Sequence, residues 1–449
     1  MQELIAPTTF YFLDQDWHNI GSKVDLAELA AEITGIDVTI LQATHDPLHL
    51  AHIPVAVKMS WAAHRVTTRP EDAAYCLLGI FNLNMPLLYG EEEKSFRRLQ
   101  EEIVRSTADL SIFGWSMPPK NHKYERNQRT LCGILADSPA AFLGCGRYRS
   151  PFYRDPVDFS MSNNGVKLKG HILFQELPGT SHCQYILPLQ CKNFASGRPV
   201  GVQLKKVGPE QYLRENPWEV VEYNAISSPK TSLEQYLLTK TSASGGSYTD
   251  SYESLATIMY RVRRRVLQIK LPPELDLYGA WPLARFDHED HLFFISGEPY
   301  GDFGSLRVQG SFVFEFEERE VKVALDIMFY AVGWGIFERD GQDASMLQCT
   351  VFDYRSHAAL VSELQFGIAH WDHDSRYVLD QLSHHDIPKC FRVVQEISET
   401  PCAAVVSFIP SIISDPTVCR NPFWRIEFSC DVVKMKDIPA VVEESWNLV

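Results

Sequence analysis

The spacing of apolar residues along the chain changes once, near Trp115. Before this point, apolar side chains recur every three or four residues, which places them on one face of a helix. The first such run comprises Leu26, Leu29, Ala30 and Ile33. Ser22 and Asp25 precede it with the spacing of a capping box, so they predict the start of a helix.

Three more helices are predicted before Trp115. Residues 54–64 begin with a proline, which suits a first helical turn, and a third segment carries Glu71 and Asp72 near its start, where the helix dipole favours acids. The fourth predicted helix follows the acidic residues 91–93. Its apolar stripe comprises Phe96, Leu99 and Ile103.

After Trp115, apolar and polar residues alternate in short segments bounded by turn residues, which is typical of β-strands. One segment, 166–174, follows the turn sequence Asn163-Asn164-Gly165. The other predicted strands cover 183–190, 200–207, 218–223, 259–271, 311–316, 320–337, 347–354, 391–397, 403–409 and 424–433. Such spacing favours antiparallel sandwiches or barrels over alternating β-α-β units.

The pattern therefore predicts an α+β protein, with an N-terminal helical part followed by antiparallel β sandwich-like or barrel-like lobes. The predicted domains are a helical region at 1–118, a first β lobe at 119–240 and a second β lobe at 252–449. Residues 241–251 lie between the two lobes and are rich in serine and glycine, the composition of a linker.

Charge narrows the range of partners. The 449-residue chain has 57 Asp and Glu against 42 Lys and Arg, a net charge of -15, which repels a phosphate backbone. Nucleic acid is therefore not an expected partner. The N-terminus has no secretory pattern, and no run approaches the roughly 20 apolar residues of a membrane span. We expect a cytoplasmic protein without a membrane span, and the sequence leaves its oligomeric state open.

The ten cysteines are scattered along the chain without a Cys-x-x-Cys pair. Several lie in apolar, strand-like segments. This distribution favours reduced thiols in the core over a disulfide framework or a zinc site.

The most distinctive sequence motifs lie in the predicted helical part. They are MSWAAHRVTTRPEDAAYCLLGIF at 59–81, MPLLYGE at 85–91, FRRLQEEI at 96–103 and QELIAP at 2–7. These motifs closely resemble the segment that follows the HET module in fungal heterokaryon-incompatibility (HET) proteins. The resemblance covers about the first 115 residues. It implies that the later β region is the variable tail of such a protein and that the HET module, which carries the effector activity, is missing.

The sequence departs from the family pattern at the start of the fourth predicted helix. It has Gly90-Glu91-Glu92 and Ser95-Phe96 where the family has Gly-Glu-Gly and Ala-Phe. Losing the second glycine stiffens the backbone there, so a loop that cradles phosphate is not expected.

Four charged clusters each allow a functional and a structural interpretation. Arginines and acids at 65–72 can bind an anion through arginine forks, but two arginines beside two acids favour an ion-pair and capping network. The basic run at 261–265 can likewise receive an anion, although pairing with carboxylates across a sheet is favoured. The histidine- and aspartate-rich runs at 370–386 and 287–291 have the composition of metal sites without a standard ligand spacing, which favours solvated loops.

No nucleotide, nucleophile-elbow or kinase signature is present in the sequence. We therefore predict no cofactor and no metal. The sequence is also compatible with a cofactor-free enzyme that holds a hydrophobic small-molecule substrate in a reactive shape and polarises it with one or two donors.

Two hypotheses of function follow from these patterns. The first is a cofactor-independent cyclase, a pericyclase of the intramolecular Diels-Alder type, acting on a terpenoid or polyketide intermediate in fungal secondary metabolism. His64 and Tyr75 are its predicted catalytic residues. Trp61, Tyr89 and Trp115 are predicted to bind substrate. The alternative is a HET-related recognition or regulatory protein of vegetative incompatibility without enzymatic activity.

Overall fold

A computed structural model describes most of the chain. The described residues are 2–7, 9–42, 50, 52–117, 130–151, 157–163, 165–176, 183–224, 234–238, 253–254, 263, 265–294, 303–316, 319–339, 342–353, 392–397 and 400–434. The chain forms two compact units, Met1–Ile258 and Met259–Val449. The predicted run at 370–386, the whole predicted linker at 241–251, and Arg261 and Arg264 of the basic run lie outside the described residues.

Short helices dominate the start of the first unit. They are α1 (Gln2–Ile5), α2 (Ala27–Thr34), α3 (Val38–Gln42), α4 (Val55–Ser60), α5 (Asp72–Tyr75), α6 (Leu78–Phe81) and α7 (Lys94–Ser106). A two-stranded hairpin of β1 (Tyr11–Leu13) and β2 (Asn19–Ser22) precedes α2. Two 3-10 turns follow α7, at Leu110–Phe113 and Pro139–Arg147.

The capping box before α2 is present, but the buried face of the helix differs from the prediction. The Ser22 hydroxyl donates to the Asp25 carboxylate at 2.6 Å, and the Asp25 backbone N–H lies 3.2 Å from the Ser22 hydroxyl. The buried residues of α2 are Ala27 and Ala30. The predicted face was wrong because Leu29 and Ile33 are exposed.

The longest helix matches its predicted pattern. In α7, Phe96, Leu99 and Ile103 are all buried. Gln100 lies on the same side, where its side-chain amide donates to the Ala136 carbonyl at 2.7 Å and accepts from the Ala136 N–H at 2.9 Å. This double hydrogen bond attaches α7 to the backbone of Ala136.

An eleven-stranded sheet forms the rest of the first unit. Its strands are β3 (Thr130–Cys132), β4 (Tyr148–Arg149), β5 (Asp158–Ser162), β6 (Gly165–Lys169), β7 (Leu173–Glu176), β8 (Cys183–Asn193), β9 (Pro199–Gly208), β10 (Gln211–Glu215), β11 (Val221–Glu222), β12 (Glu234–Leu237) and β13 (Glu253–Ser254). Its main path runs β4-β8-β9-β10-β12-β6-β5. Pairing is antiparallel except between β10 and β12, which run parallel.

One hydrophobic core joins the helices and the sheet of this unit. It extends from Ala27 in α2 through Leu99 in α7 to Val202 in β9 and Leu237 in β12. Residues on both sides of position 118 contribute to this core. The predicted domain boundary at residue 118 stays a prediction.

The second unit contains a six-stranded and a four-stranded sheet. Its strands are β14 (Val266–Lys270), β15 (Leu275–Trp281), β16 (Phe286–Asp287), β17 (Leu292–Phe294), β18 (Phe303–Phe316), β19 (Arg319–Arg339), β20 (Gln342–Asp353), β21 (Arg392–Glu396), β22 (Cys402–Ile413) and β23 (Phe423–Lys434). The sheet orders are β16-β17-β14-β23-β22-β21 and β15-β18-β19-β20. One pair, β14 with β23, is parallel.

Both sheets of the second unit contribute to one core. The ring of Phe329 in β19 lies 5.4 Å from Phe408 in β22 and 5.4 Å from Phe428 in β23, in edge-on contacts. The two sheets therefore pack face to face, which is the arrangement of a β-sandwich. The predicted α+β class is confirmed.

Most of the described cysteines are buried thiols, as the sequence predicts. The eight cysteines within the described residues are free, and five of them are buried. Burial raises the pKa of Cys132 and of Cys145 to about 12, so both thiols are protonated at neutral pH.

Among the described residues, no helix has the length and apolar content needed to cross a membrane.

Candidate functional site

The strongest candidate site is the loop between α6 and α7, here called the 86–91 loop (Pro86 to Glu91). Leu87, Leu88 and Tyr89 at its centre are each more than half exposed. The loop follows Asn82, which ends α6 in the left-handed conformation that asparagine tolerates. Gly90 also has a positive φ of 98°, where a side chain is strained.

The Tyr75 hydroxyl holds the middle of the 86–91 loop. It lies 2.8 Å from the Leu88 carbonyl oxygen and 3.0 Å from a Glu91 carboxylate oxygen, and it accepts a hydrogen bond from the Leu88 N–H at 2.8 Å. Arg98 of α7 also contacts the loop. Its guanidinium pairs with Glu91 at 2.6 Å and donates to the Pro86 carbonyl at 2.6 Å. Tyr75, Arg98 and Glu71, whose side chains hydrogen-bond to this loop, are here called the bracket.

The Glu71 carboxylate holds the end of the same loop. It is buried, and it accepts the backbone N–H of Gly90 at 2.7 Å and of Glu92 at 3.1 Å. Its own backbone N–H contributes most to holding the pKa of this carboxyl below its usual range, and the Gly90 N–H comes next. The carboxylate is therefore ionised wherever the protein is folded near neutral pH.

Glu92 stands where the family pattern has glycine. Its φ is 52°, in the left-handed region that glycine adopts without cost. The structure therefore gives the physical reason for that glycine, and this chain carries a strained residue at the same place.

Tyr89 contacts Asp72 and Arg69. Its hydroxyl lies 3.1 Å from an Asp72 carboxylate oxygen, and this hydrogen bond is the first cause of a raised pKa for the phenol. The Arg69 guanidinium stacks on the ring at 4.7 Å. Within the predicted ion-pair and capping network at 65–72, Arg69 contacts an aromatic ring and Glu71 accepts backbone N–H groups.

The five residues proposed for a substrate pocket lie in different environments. Tyr75 and Tyr89 meet in an edge-on contact with ring centroids 5.6 Å apart. His64 is exposed, and Trp61 is buried in the core. Trp115 is also buried, and its indole N–H donates to the Ile134 carbonyl at 2.9 Å. Catalytic and binding roles for the five residues stay a prediction.

Trp115 has a structural neighbour that the sequence pattern did not indicate. The Arg214 guanidinium lies over its ring at 3.9 Å and donates to the Phe113 carbonyl at 2.7 Å. Both side chains are buried. Burial of a charged group is tolerated when hydrogen bonds surround it, and here they join β10 to the segment after α7.

Two further clusters carry metal-binding residue types. Asp14, Asp16 and His18 place ligand atoms within 4.8 Å of one another, and all three residues are exposed. Asp287, in the second run proposed as a solvated loop, is buried and accepts from Arg263 at 2.7 Å. Arg263 of the basic run therefore pairs with carboxylates, as predicted. The solvated-loop prediction for 287–291 was wrong at Asp287, which is buried in a strand and paired with Arg263.

Comparison with known proteins relates part of the chain to incompatibility proteins. A family model described as a domain of unknown function (DUF8212) matches residues 94–186. The vegetative incompatibility protein HET-E-1 of Podospora anserina is 36% identical over 139 residues, which are 31% of this chain and 10% of HET-E-1. The chain therefore matches about a tenth of that relative's length. No solved structure matches. The relationship to HET proteins is confirmed for this partial region.

Proposed function

We propose that this chain is a recognition or regulatory protein of vegetative incompatibility and that its 86–91 loop contacts a protein partner. The similarity to HET-E-1 over 139 residues supports the setting. The observation that carries the proposal is the contrast within the loop, where Leu87, Leu88 and Tyr89 are exposed above a backbone fixed by Tyr75 and Glu71.

The bracket is suited to binding because it fixes the loop before a partner arrives. Association is opposed by the entropy of ordering side chains and loops, and a preorganised loop loses less of it. The exposed leucines supply apolar area, and tyrosine is one of the residue types enriched at the centre of protein interfaces.

The cyclase hypothesis has less support. Trp61 and Trp115 belong to the hydrophobic core, and the name of the related protein refers to incompatibility. Exposed apolar residues on a braced loop favour a binding surface over an enclosed site for a small hydrophobic substrate.

A chimera tests the proposal. In Podospora anserina, the similar segment of HET-E-1 is replaced by a segment of this chain that contains residues 64–91, and the incompatibility reaction between strains is scored. The chimera should retain the reaction, and the chimera carrying Leu88→Asp should lose it because a charge is placed in the apolar contact. Val66→Asp, which places the same charge at another exposed apolar residue, is the matched control and should retain it.

Two results would contradict the proposal. One is an unmodified chimera that is expressed at the level of HET-E-1 and gives no reaction. The other is a Leu88→Asp chimera that reacts as strongly as the unmodified one.

A further inference from the structure

Trp17 occupies a position that its side chain does not favour. It lies in the turn between β1 and β2 with φ of 64°, and 81% of its surface is exposed. The left-handed conformation is a genuine outlier for a bulky residue, whereas glycine adopts it freely. A ring this exposed gains little burial energy inside the chain that would offset the strain.

Hydrogen bonds hold the backbone of the turn at Trp17. The Asp14 carboxylate accepts the backbone N–H of Asp16 and of His18, each at 2.8 Å. The Asp14 N–H donates to the His18 carbonyl at 3.0 Å, and the Trp17 N–H donates to the Asp14 carbonyl at 3.1 Å. Strain that the surrounding hydrogen bonds maintain is characteristic of functional positions.

The surroundings of Trp17 are apolar and acidic. Tyr11 and Leu13 alternate along β1 and are exposed, as is Ile20 in β2. Of the exposed acids between residues 9 and 37, Asp14 and Asp16 lie in the same turn as Trp17, and Asp25, Glu28 and Glu32 follow along the chain, whereas Asp37 pairs with Arg149 at 3.6 Å. Lys23, the single Lys or Arg in that segment, is buried and donates to the Pro7 carbonyl at 2.7 Å.

We infer that Trp17 anchors a second interaction surface, whose partner is a protein segment with an apolar face bordered by lysine or arginine. A tryptophan at the centre of an interface supplies much of the binding energy. The acidic residues around it attract a basic rim and repel anionic lipid, nucleic acid and a second copy of the same surface. The inference does not depend on the 86–91 loop.

A synthetic peptide tests this inference on the full chain. The probe is a labelled helical peptide of about 18 residues with leucine on one face and lysine on the other. Its binding is followed by fluorescence anisotropy. Trp17→Gly should weaken binding roughly tenfold or more, as expected for a central tryptophan anchor. Its urea midpoint should stay equal or rise, because glycine suits the φ of 64° at this position.

The controls distinguish binding at Trp17 from nonspecific binding of the peptide elsewhere on the chain. Ile409→Ala removes a side chain that is also exposed, but in the second unit, and should bind like the unmodified chain. A leucine–glutamate peptide should bind far more weakly. The inference is overturned if the leucine–lysine peptide does not bind, if Trp17→Gly binds it unchanged, or if anionic vesicles capture the chain through Trp17.

Discussion

The Asp109 carboxylate accepts the backbone N–H of Val55 at 3.0 Å and thereby caps a helix that begins 54 residues earlier in the chain. Pro54 precedes α4 and provides no side-chain cap. The Ser111 hydroxyl accepts the next N–H, that of Ala56, at 3.1 Å. The first turn of α4 is therefore satisfied by the segment after α7, as buried helix ends require.

Asp109→Ala should lower the free energy of unfolding by about 1 to 3 kcal/mol, because the buried Val55 N–H loses its acceptor. Asp109→Asn should cost less, since an amide oxygen still accepts one bond. Urea denaturation measures both changes. Glu219→Ala, at an exposed acid of the same unit, is the control and should stay within about 0.5 kcal/mol of the unmodified chain. Equal midpoints for Asp109→Ala and the control would show that the cap is dispensable.

This cap illustrates what the sequence could and could not predict. The stripe of α7 and most strands depend on local spacing, which a single sequence displays. The cap of α4 and the parallel pairing of β14 with β23 depend on residues far apart in the chain. The face of α2 was wrong because neighbouring elements bury its small residues, Ala27 and Ala30, in preference to Leu29.

The sequence identified two residues of the candidate site. Tyr75 was predicted as catalytic and Tyr89 as substrate-binding, and their rings meet, while those roles stay a prediction. The roles of Glu71 and Arg98 could not be predicted, because both side chains hydrogen-bond to backbone groups of a loop whose path is set by tertiary structure. The departure from the family at Glu92 was the available signal that this loop has a special backbone.

Glu92→Gly should stabilise the protein, because glycine relieves a left-handed conformation that costs other residues roughly 1 kcal/mol. The backbone N–H that donates to Glu71 is retained in this variant. Thermal unfolding measures the gain. Glu93→Gly, at the next residue, has an αR backbone and should destabilise instead. A loss of stability in both variants would mean that the Glu92 side chain makes an interaction that outweighs its strain.

Stability should depend on pH through Glu71. Its folded pKa is lower than in the unfolded chain, so its contribution is complete above the ordinary glutamate pKa and is lost as the pH falls through the folded value. The difference in urea midpoint between the unmodified chain and Glu71→Gln should therefore be largest near neutral pH and shrink below about pH 4. A difference that is constant across this range would remove the carboxylate's charge from the explanation.

Tyr75→Phe should destabilise the 86–91 loop, because it removes the hydroxyl that bridges Leu88 and Glu91 and keeps the ring. The expected cost is about 1 to 3 kcal/mol, and amide hydrogen exchange at Leu88 should accelerate. His64→Ala, at an exposed residue, should change stability by less than about 0.5 kcal/mol. Unchanged exchange at Leu88 in Tyr75→Phe would show that the bracket does not depend on this hydroxyl.

Two ion pairs of the second unit differ in burial and should differ in energetic importance. Arg263 pairs with Asp287 at 2.7 Å, and their side chains are 2% and 0% exposed. Lys270 pairs with Glu427 at 3.3 Å, with exposures of 65% and 46%. Arg263→Met leaves the Asp287 carboxylate buried without its guanidinium, so the expected cost is about 3 to 5 kcal/mol. Lys270→Met should cost at most about 1 kcal/mol.

The double variant Arg263→Met with Asp287→Leu distinguishes a lost attraction from an isolated charge. Removing both partners leaves no buried carboxylate at 287, so much of the stability lost in Arg263→Met should return. Asp290, which Arg263 also contacts at 2.6 Å, is 30% exposed and can be hydrated. Thermal unfolding of the three variants provides the comparison. If the double variant is as unstable as Arg263→Met, the loss comes from packing of the arginine side chain and the carboxylate's charge is not its cause.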